Sequence, residues 1–183
     1  MKRALFTLLF FLPTLFFAQD ETSEEKELLE KAYSYLEALN SNDKDHLPTE
    51  IDKLNLKDQE KIGDYCISHA YEIFKNLAVN YPDSEKQAIY LYYVAELSND
   101  NNEKKDLFIK VINLNSNWGY YERQSHLNLA SIAVEEKDFK NATMYLKEIE
   151  KLPKPMFTCG VEAQTYNSRL KWLHAACEVG LKN

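Results

Sequence analysis

The stretch NYPDSEKQAIYLYYVAEL, residues 80–97, places a proline turn between two strongly apolar helical patterns. Before the turn, apolar residues recur three or four positions apart, which predicts a helix from about residue 58 to residue 80. Pro82 lacks a backbone N–H and disfavours helical geometry at Tyr81, so this helix should end there. Ser84 and the polar residues after it predict a capping box that starts a second helix, running to the end of the quoted stretch.

The second helix of this stretch is apolar on nearly all sides, which predicts that it lies between neighbouring helices. Helical periodicity also marks the rest of the chain. Thr22 and Glu25 predict a capping box for a helix over residues 23–40, and the polar segment 41–57 predicts a long connection. Further helices are predicted around residues 107–112 and over about 120–136, 139–152 and 161–181. Because no segment alternates as a strand would, the predicted class is all-α.

Similar residues recur along the chain at a nearly constant spacing, as expected for a helical repeat. At an offset of 34 residues, Phe74 and Leu77 align with Phe108 and Val111. The unit that contains Phe108 is followed by a third unit at an offset of 38 residues. At this offset Leu91, Ala95, Phe108 and Val111 align with Leu129, Ala133, Leu146 and Ile149. The spacing of 34 residues is the period of the tetratricopeptide repeat (TPR).

Residues 123–156 carry the best copy of the repeat pattern. Leu129-Ala130 stand at the Leu-Gly position of the TPR family, Phe139 at the aromatic position that opens the second helix, and Ala142 at its small crossing position. The chain therefore resembles the TPR family, and residues 70–97 are similar to periplasmic TPR proteins of bacterial envelopes, in which a Tyr-Pro-x-Ser turn joins repeats. A plain helical bundle, using the proline turn only as a stop and start signal, is the alternative.

The resemblance implies a fold and a binding surface. The fold would be a single domain over residues 19–183, in which about three antiparallel helix pairs stack as a short solenoid and the last helix caps the stack. The first helices would form a concave face, where TPR proteins usually bind an extended peptide or a partner's helix. The family's groove positions correspond here to Lys86, Ile89, Tyr93, Glu96, Gln124, Leu127, Ser131 and Glu135. The expected function is a non-enzymatic protein–protein interaction scaffold that has no cofactor.

The chain begins with two positive charges, an apolar run from Ala4 to Ala18 and then an acidic segment, which is the pattern of a secretory signal peptide. The run has about 15 residues, whereas a membrane-spanning helix needs about 20. We therefore expect no permanent membrane span. With cleavage after Ala18, residues 1–18 are the signal peptide, and the mature protein is expected in the periplasm or outside the cell.

The charge balance restricts the class of partner. Removing residues 1–18 takes away two of the 22 Lys and Arg and none of the 29 Asp and Glu, which leaves a net charge of about −9. Nucleic acid is not expected as a partner because its phosphates need a basic surface. A protein or peptide partner of basic character would be favoured. The four glycines are not clustered, so a Gly-rich phosphate-binding loop has no candidate.

Two alternatives to the scaffold remain. Cys66 with His69, and His174 with Cys177, are two i,i+3 pairs, and two Cys with two His form a common zinc site, so a helical bundle could use them as a metal-dependent binder or enzyme. Both pairs also lie on apolar stripes, which predicts core packing. The metal site requires the two cysteine-bearing helices to be neighbours, whereas a repeat stack keeps them apart. The other alternative is an accessory subunit that docks permanently into a larger envelope complex.

Overall fold

The computed structural model describes residues 22–40, 59–114, 119–157 and 159–182. Within these ranges the chain forms seven helices and no strand, so the predicted all-α class is confirmed. The helices are α1 (Ser23–Asn40), α2 (Gln59–Asn80), α3 (Gln87–Leu97), α4 (Asn101–Asn113), α5 (Gly119–Glu135), α6 (Phe139–Lys151) and α7 (Gly160–Gly180). The predicted signal peptide and the connection 41–57 lie outside the described residues.

Side-chain caps fix several helix starts. The backbone N–H of Glu25 donates to Thr22 Oγ1 at 3.1 Å, which is half of the predicted capping box at the start of α1. Asp100 accepts from the N–H of Asn102 at the start of α4, and Asp138 accepts from the N–H of Asn141 at the start of α6. These bonds satisfy N–H groups that have no partner within their own helix.

The turn between α2 and α3 differs from the prediction at one end. α2 ends at Asn80 as Pro82 requires, but α3 begins at Gln87, three residues after Ser84. The predicted capping box at Ser84 is therefore wrong. The Ser84 hydroxyl accepts from the backbone N–H of Lys86 at 3.2 Å and donates to the carboxylate of Glu25 in α1 at 2.5 Å, and the side chain of Gln87 donates to the carbonyl of Ala78 in α2 at 3.0 Å instead of reaching back to Ser84. Lys86 precedes α3 and makes no side-chain cap.

Helices that follow each other in the chain pack against each other throughout the described residues. Two further contacts join helices that are not consecutive in the chain: α3 packs on α5, and α5 packs on α7. If α1/α2, α3/α4 and α5/α6 are taken as pairs, these contacts join the first helices of successive pairs, and α7 follows as a single terminal helix. The order is consistent with a helical repeat-like arrangement, in which each unit contacts mainly its neighbours.

The hydrophobic core follows the same order. One buried cluster lies between α1, α2 and α3, a second between α5, α6 and α7, and a small cluster around Phe108 and Leu129 connects α3, α4 and α5. Each cluster therefore belongs to adjacent helices, as expected for a stack. Among the described residues, no helix combines the length and the apolar character needed to cross a bilayer.

Candidate functional site

Tyrosines from the first helices meet in a continuous group that we call the tyrosine row, formed by Tyr33, Tyr92, Tyr93, Tyr120 and Tyr121. The ring of Tyr93 in α3 contacts Tyr33 in α1 and Tyr121 in α5, with ring centroids 5.8 and 6.3 Å apart. Tyr121 also contacts Tyr92 at 5.1 Å and stands perpendicular to Tyr120 at 5.2 Å. The row joins three helices that are distant in sequence. Its outermost member, Tyr120, is 47% exposed.

The environment of the row keeps its hydroxyls protonated. Burial raises the pKa of Tyr93 to about 12. Burial is also the main reason that the pKa values of Tyr92 and Tyr121 are raised, and the negative charge of Glu96 contributes at Tyr92. At neutral pH the row therefore presents neutral phenols, which can donate and accept hydrogen bonds.

A polar network continues from the row towards α7. Asn128 in α5, only 7% exposed, donates through Nδ2 to Glu96 Oε2 in α3 at 2.6 Å. Its Oδ1 accepts from Arg169 Nη2 in α7 at 2.6 Å, and the same Arg169 nitrogen donates to Ser131 Oγ at 2.8 Å. We call Glu96, Asn128, Ser131 and Arg169 the polar network. It connects the first helices α3 and α5 with the terminal helix α7 through a buried amide.

The network lines a pocket of about 190 Å³. Lys104 from the start of α4 and Glu135 from the end of α5 also line it. The pocket thus contains both carboxylates and basic groups, and its side chains are supplied by four different helices.

The eight predicted groove residues separate into two groups. Four lie on this surface: Tyr93 belongs to the row, Glu96 and Ser131 to the network, and Glu135 to the pocket. Gln124 adjoins them, because its side chain interacts with the hydroxyl of Tyr120.

The other three predicted groove residues lie outside the row, the network and the pocket. Ile89 is 5% exposed and Leu127 is 1% exposed, and both belong to the core. Lys86 is half-buried immediately before α3. Sequence reasoning missed Asn128 and Arg169. Their only signals were a polar residue between two leucines of α5 and one of the two basic residues, Arg169 and Lys171, on α7.

The structure does not bring the two Cys/His pairs together. Cys66 is fully buried in the cluster of α1, α2 and α3, whereas Cys177 lies in the cluster of α5, α6 and α7. The ring of His69 stacks on Tyr65 at 3.8 Å, and burial raises the pKa of the Cys66 thiol. In the described ranges, no three His, Cys, Asp or Glu residues are grouped so that they could hold a metal ion.

A different surface lies at the end of the stack, on α7. Trp172 is 56% exposed and Val179 is 62% exposed. Both border an open, mainly apolar cavity of about 690 Å³ between α7 and the α5–α6 turn. We call this surface the α7 face.

The tyrosine row and the polar network together form one strip, called here the first-helix strip, that crosses α1, α3, α5 and α7. Five of the eight predicted groove residues lie on or beside this strip, and its side chains contact one another through ring contacts and hydrogen bonds. Comparison of the chain with known protein families, curated proteins and solved structures gave no significant match.

Proposed function

We propose that this protein is a non-enzymatic, TPR-like scaffold that binds a protein or peptide partner on the first-helix strip. The observation that carries the proposal is the contact of Tyr93 with Tyr33 and Tyr121, which makes one surface from three first helices. Aromatic side chains supply large contact area with little loss of conformational entropy, which suits them to binding surfaces.

The strip has the features of a preorganised surface. Asn128 fixes Glu96 on one side and Arg169 on the other through short hydrogen bonds. Side chains that are ordered before binding lose less entropy when a partner arrives. An extended segment or a helix of the partner could lie along the strip and contact several first helices at once. The N-terminal signal peptide pattern supports export, so the partner would be met in the periplasm or outside the cell.

Photo-cross-linking in cells tests the proposal. A photoreactive amino acid is placed at Tyr120, the most exposed member of the tyrosine row. Matched control positions on second helices are Ile109 in α4, 41% exposed, and Met144 in α6, 46% exposed. We expect one defined cross-linked product from position 120 and none from the two controls. Equal products from all three positions, or products from the controls alone, would refute the assignment of the strip.

A second candidate function is supported by the α7 face. Exposed apolar surface of this kind is common where a protein docks permanently on another. On this account the protein is an accessory subunit of a larger envelope complex, and cross-linking from Trp172 rather than Tyr120 would capture the partner. Glu135 lines both the pocket of the network and the cavity of the α7 face, so the two surfaces adjoin. The two candidates are distinguished by which of the positions 120 and 172 gives the cross-linked product.

A further inference from the structure

One side of α7 carries an apolar stripe on the α7 face. Trp172, Ala175, Ala176 and Val179 follow the i, i+3, i+4, i+7 spacing of a single helix side, and all four border the open cavity. The outer two are large and are 56% and 62% exposed, whereas the central alanines allow a second helix to approach closely. The buried residues of α7 are different ones, so the stripe is not the side by which α7 packs into the core.

The stripe is complementary to itself. In two copies of α7 that pack antiparallel about a two-fold axis midway between Ala175 and Ala176, positions equally far from this midpoint lie opposite each other. Positions 172 and 179 are equally far from it, so Trp172 of each copy lies on Val179 of the other. The alanines of the two copies meet at the centre, where the helices can approach most closely. A contact of this isologous kind closes with two copies, which is the commonest symmetry of soluble oligomers.

The charges at one edge of the stripe are complementary as well. Lys171 and Glu178 are exposed, and at about 100° per residue both lie on the edge opposite Gly180, which packs on α6. In the antiparallel pair, Lys171 of each copy lies two positions, or about 3 Å along the helix axis, from Glu178 of the other. Within the described residues, neither side chain forms an ion pair in its own chain. Lys182 follows the end of α7. Two copies can therefore form the Lys171–Glu178 pair twice.

The surroundings of the stripe are balanced in charge, unlike the chain as a whole. Glu135 and Lys137 are the charged residues that line the cavity, and Lys171 with Glu178 flanks the other edge. The chain without residues 1–18 carries a net charge of about −9, so contact between acidic surfaces of two copies is repulsive. The α7 face does not add to this repulsion, which favours a second copy over a basic partner at this surface.

We infer that two copies of this protein associate through the α7 face, with their α7 helices antiparallel and in contact at Ala175 and Ala176. The inference does not depend on partner binding by the first-helix strip, and it gives the α7 face a different occupant from the second candidate function. Because Glu135 lines both the α7 face and the pocket of the network, the dimer brings two strips near one interface. A partner with two binding segments could then engage both strips, which raises the apparent affinity.

Sedimentation equilibrium of the purified mature protein, residues 19–183, tests the association from about 1 to about 500 μM. We expect a reversible monomer–dimer equilibrium, because four stripe residues per copy are far fewer than the roughly 20–30 residues a side of a standard interface. Trp172→Ser should raise the dissociation constant at least about tenfold. The matched control Ile109→Ser in α4, where the side chain is 41% exposed, should change it by less than about twofold. A monomer at all concentrations, or equal losses in the two variants, would overturn the inference.

Charge exchange tests the antiparallel arrangement. Lys171→Glu and Glu178→Lys each place like charges next to each other across the two-fold axis, and each should raise the dissociation constant about fivefold. The double variant Lys171→Glu with Glu178→Lys restores opposite charges and should dimerise like the wild type. If the double variant dimerises no better than the single variants, the antiparallel pairing is wrong.

A photoreactive amino acid at position 172 distinguishes a second copy from another partner. The inference predicts a product with twice the mass of the mature protein, both in cells and with the purified protein. A product with a different protein, together with a monomer in sedimentation, would overturn the inference and support the second candidate function. The product from position 120 reports only on the strip, so failure of the inference and failure of the proposed function are distinguishable.

Discussion

The junction between the first two helix pairs should depend on the carboxylate of Glu25. This side chain lies in the first turn of α1 and is only 4% exposed. It accepts a hydrogen bond from the hydroxyl of Ser84 in the turn before α3 at 2.5 Å and another from the hydroxyl of Tyr90 in α3 at 2.6 Å. Each hydrogen bond to a charged group contributes about 1.5–3 kcal/mol. Since the two bonds share one acceptor and are not fully additive, Glu25→Ala should lower the free energy of unfolding by about 3 kcal/mol.

Urea unfolding of the purified mature protein measures this loss, and the chain offers a matched control. Glu24 occupies the same first turn of α1 but is exposed, so Glu24→Ala removes the same charge near the helix N-terminus without removing the buried bonds. In a Tyr90→Phe background, Glu25→Ala should cost about 1–2 kcal/mol less than in the wild type. The reasoning fails if Glu25→Ala costs no more than Glu24→Ala, or if its cost is unchanged when Tyr90 is replaced.

Three further predictions follow from single residues. A Cβ on Gly180 would overlap the ring of Phe139, so Gly180→Ala should displace α7 from α6 and lower the free energy of unfolding in urea by about 1–3 kcal/mol. The control Gly160→Ala, where a Cβ would meet nothing within 4 Å, should leave the free energy of unfolding unchanged. Burial lowers the pKa of His126 below 6.5, so the unfolded state takes up a proton at this residue before the folded state does. The free energy of unfolding should therefore fall as pH drops below about 6.5, by at most about 1.4 kcal/mol per pH unit. A wild type whose pH dependence matches that of His126→Leu would contradict this. Because the pKa of Tyr93 is raised to about 12, its stabilising contribution is complete below the unfolded value near 10 and is lost as pH rises from there towards 12. Ultraviolet titration of phenolate should show that Tyr93→Phe lacks a component near pH 12, and loss of one near pH 10 instead would show that the ring is not buried.

Local rules were sufficient for most helix boundaries. The spacing of apolar residues predicted the 23–40 helix with the bounds that the structure has, and Pro82 predicted the end of α2. These features depend on residues within one or two turns of each other. The start of α3 could not be predicted in this way. The hydroxyl of Ser84 donates to Glu25, which lies 59 positions away, and the side chain of Gln87 donates to the carbonyl of Ala78 in α2 instead of closing a capping box.

The candidate site was predictable only in part for a related reason. α3 has 11 residues and is apolar on nearly all sides, so its sequence does not reveal which side faces the core. Ile89 was therefore assigned to the groove although it packs inside. Arg169 reaches Asn128 across 41 positions, and no local pattern indicates that α5 and α7 meet at these two residues.

The most direct test of the account is the affinity of the purified partner, once captured from position 120, for two double variants. Tyr120→Ser with Glu96→Gln alters the first-helix strip, and Ile109→Ser with Met144→Ser alters the outer surface of the second helices. All four side chains are exposed, and Glu96→Gln keeps an oxygen that can accept from Asn128. Both proteins should therefore keep the wild-type unfolding midpoint. We predict that the strip variant binds the partner at least about tenfold more weakly while the outer variant binds like wild type. Equal affinity of the strip variant and the wild type, or a loss only in the outer variant, would contradict the claim that the first helices form the binding surface.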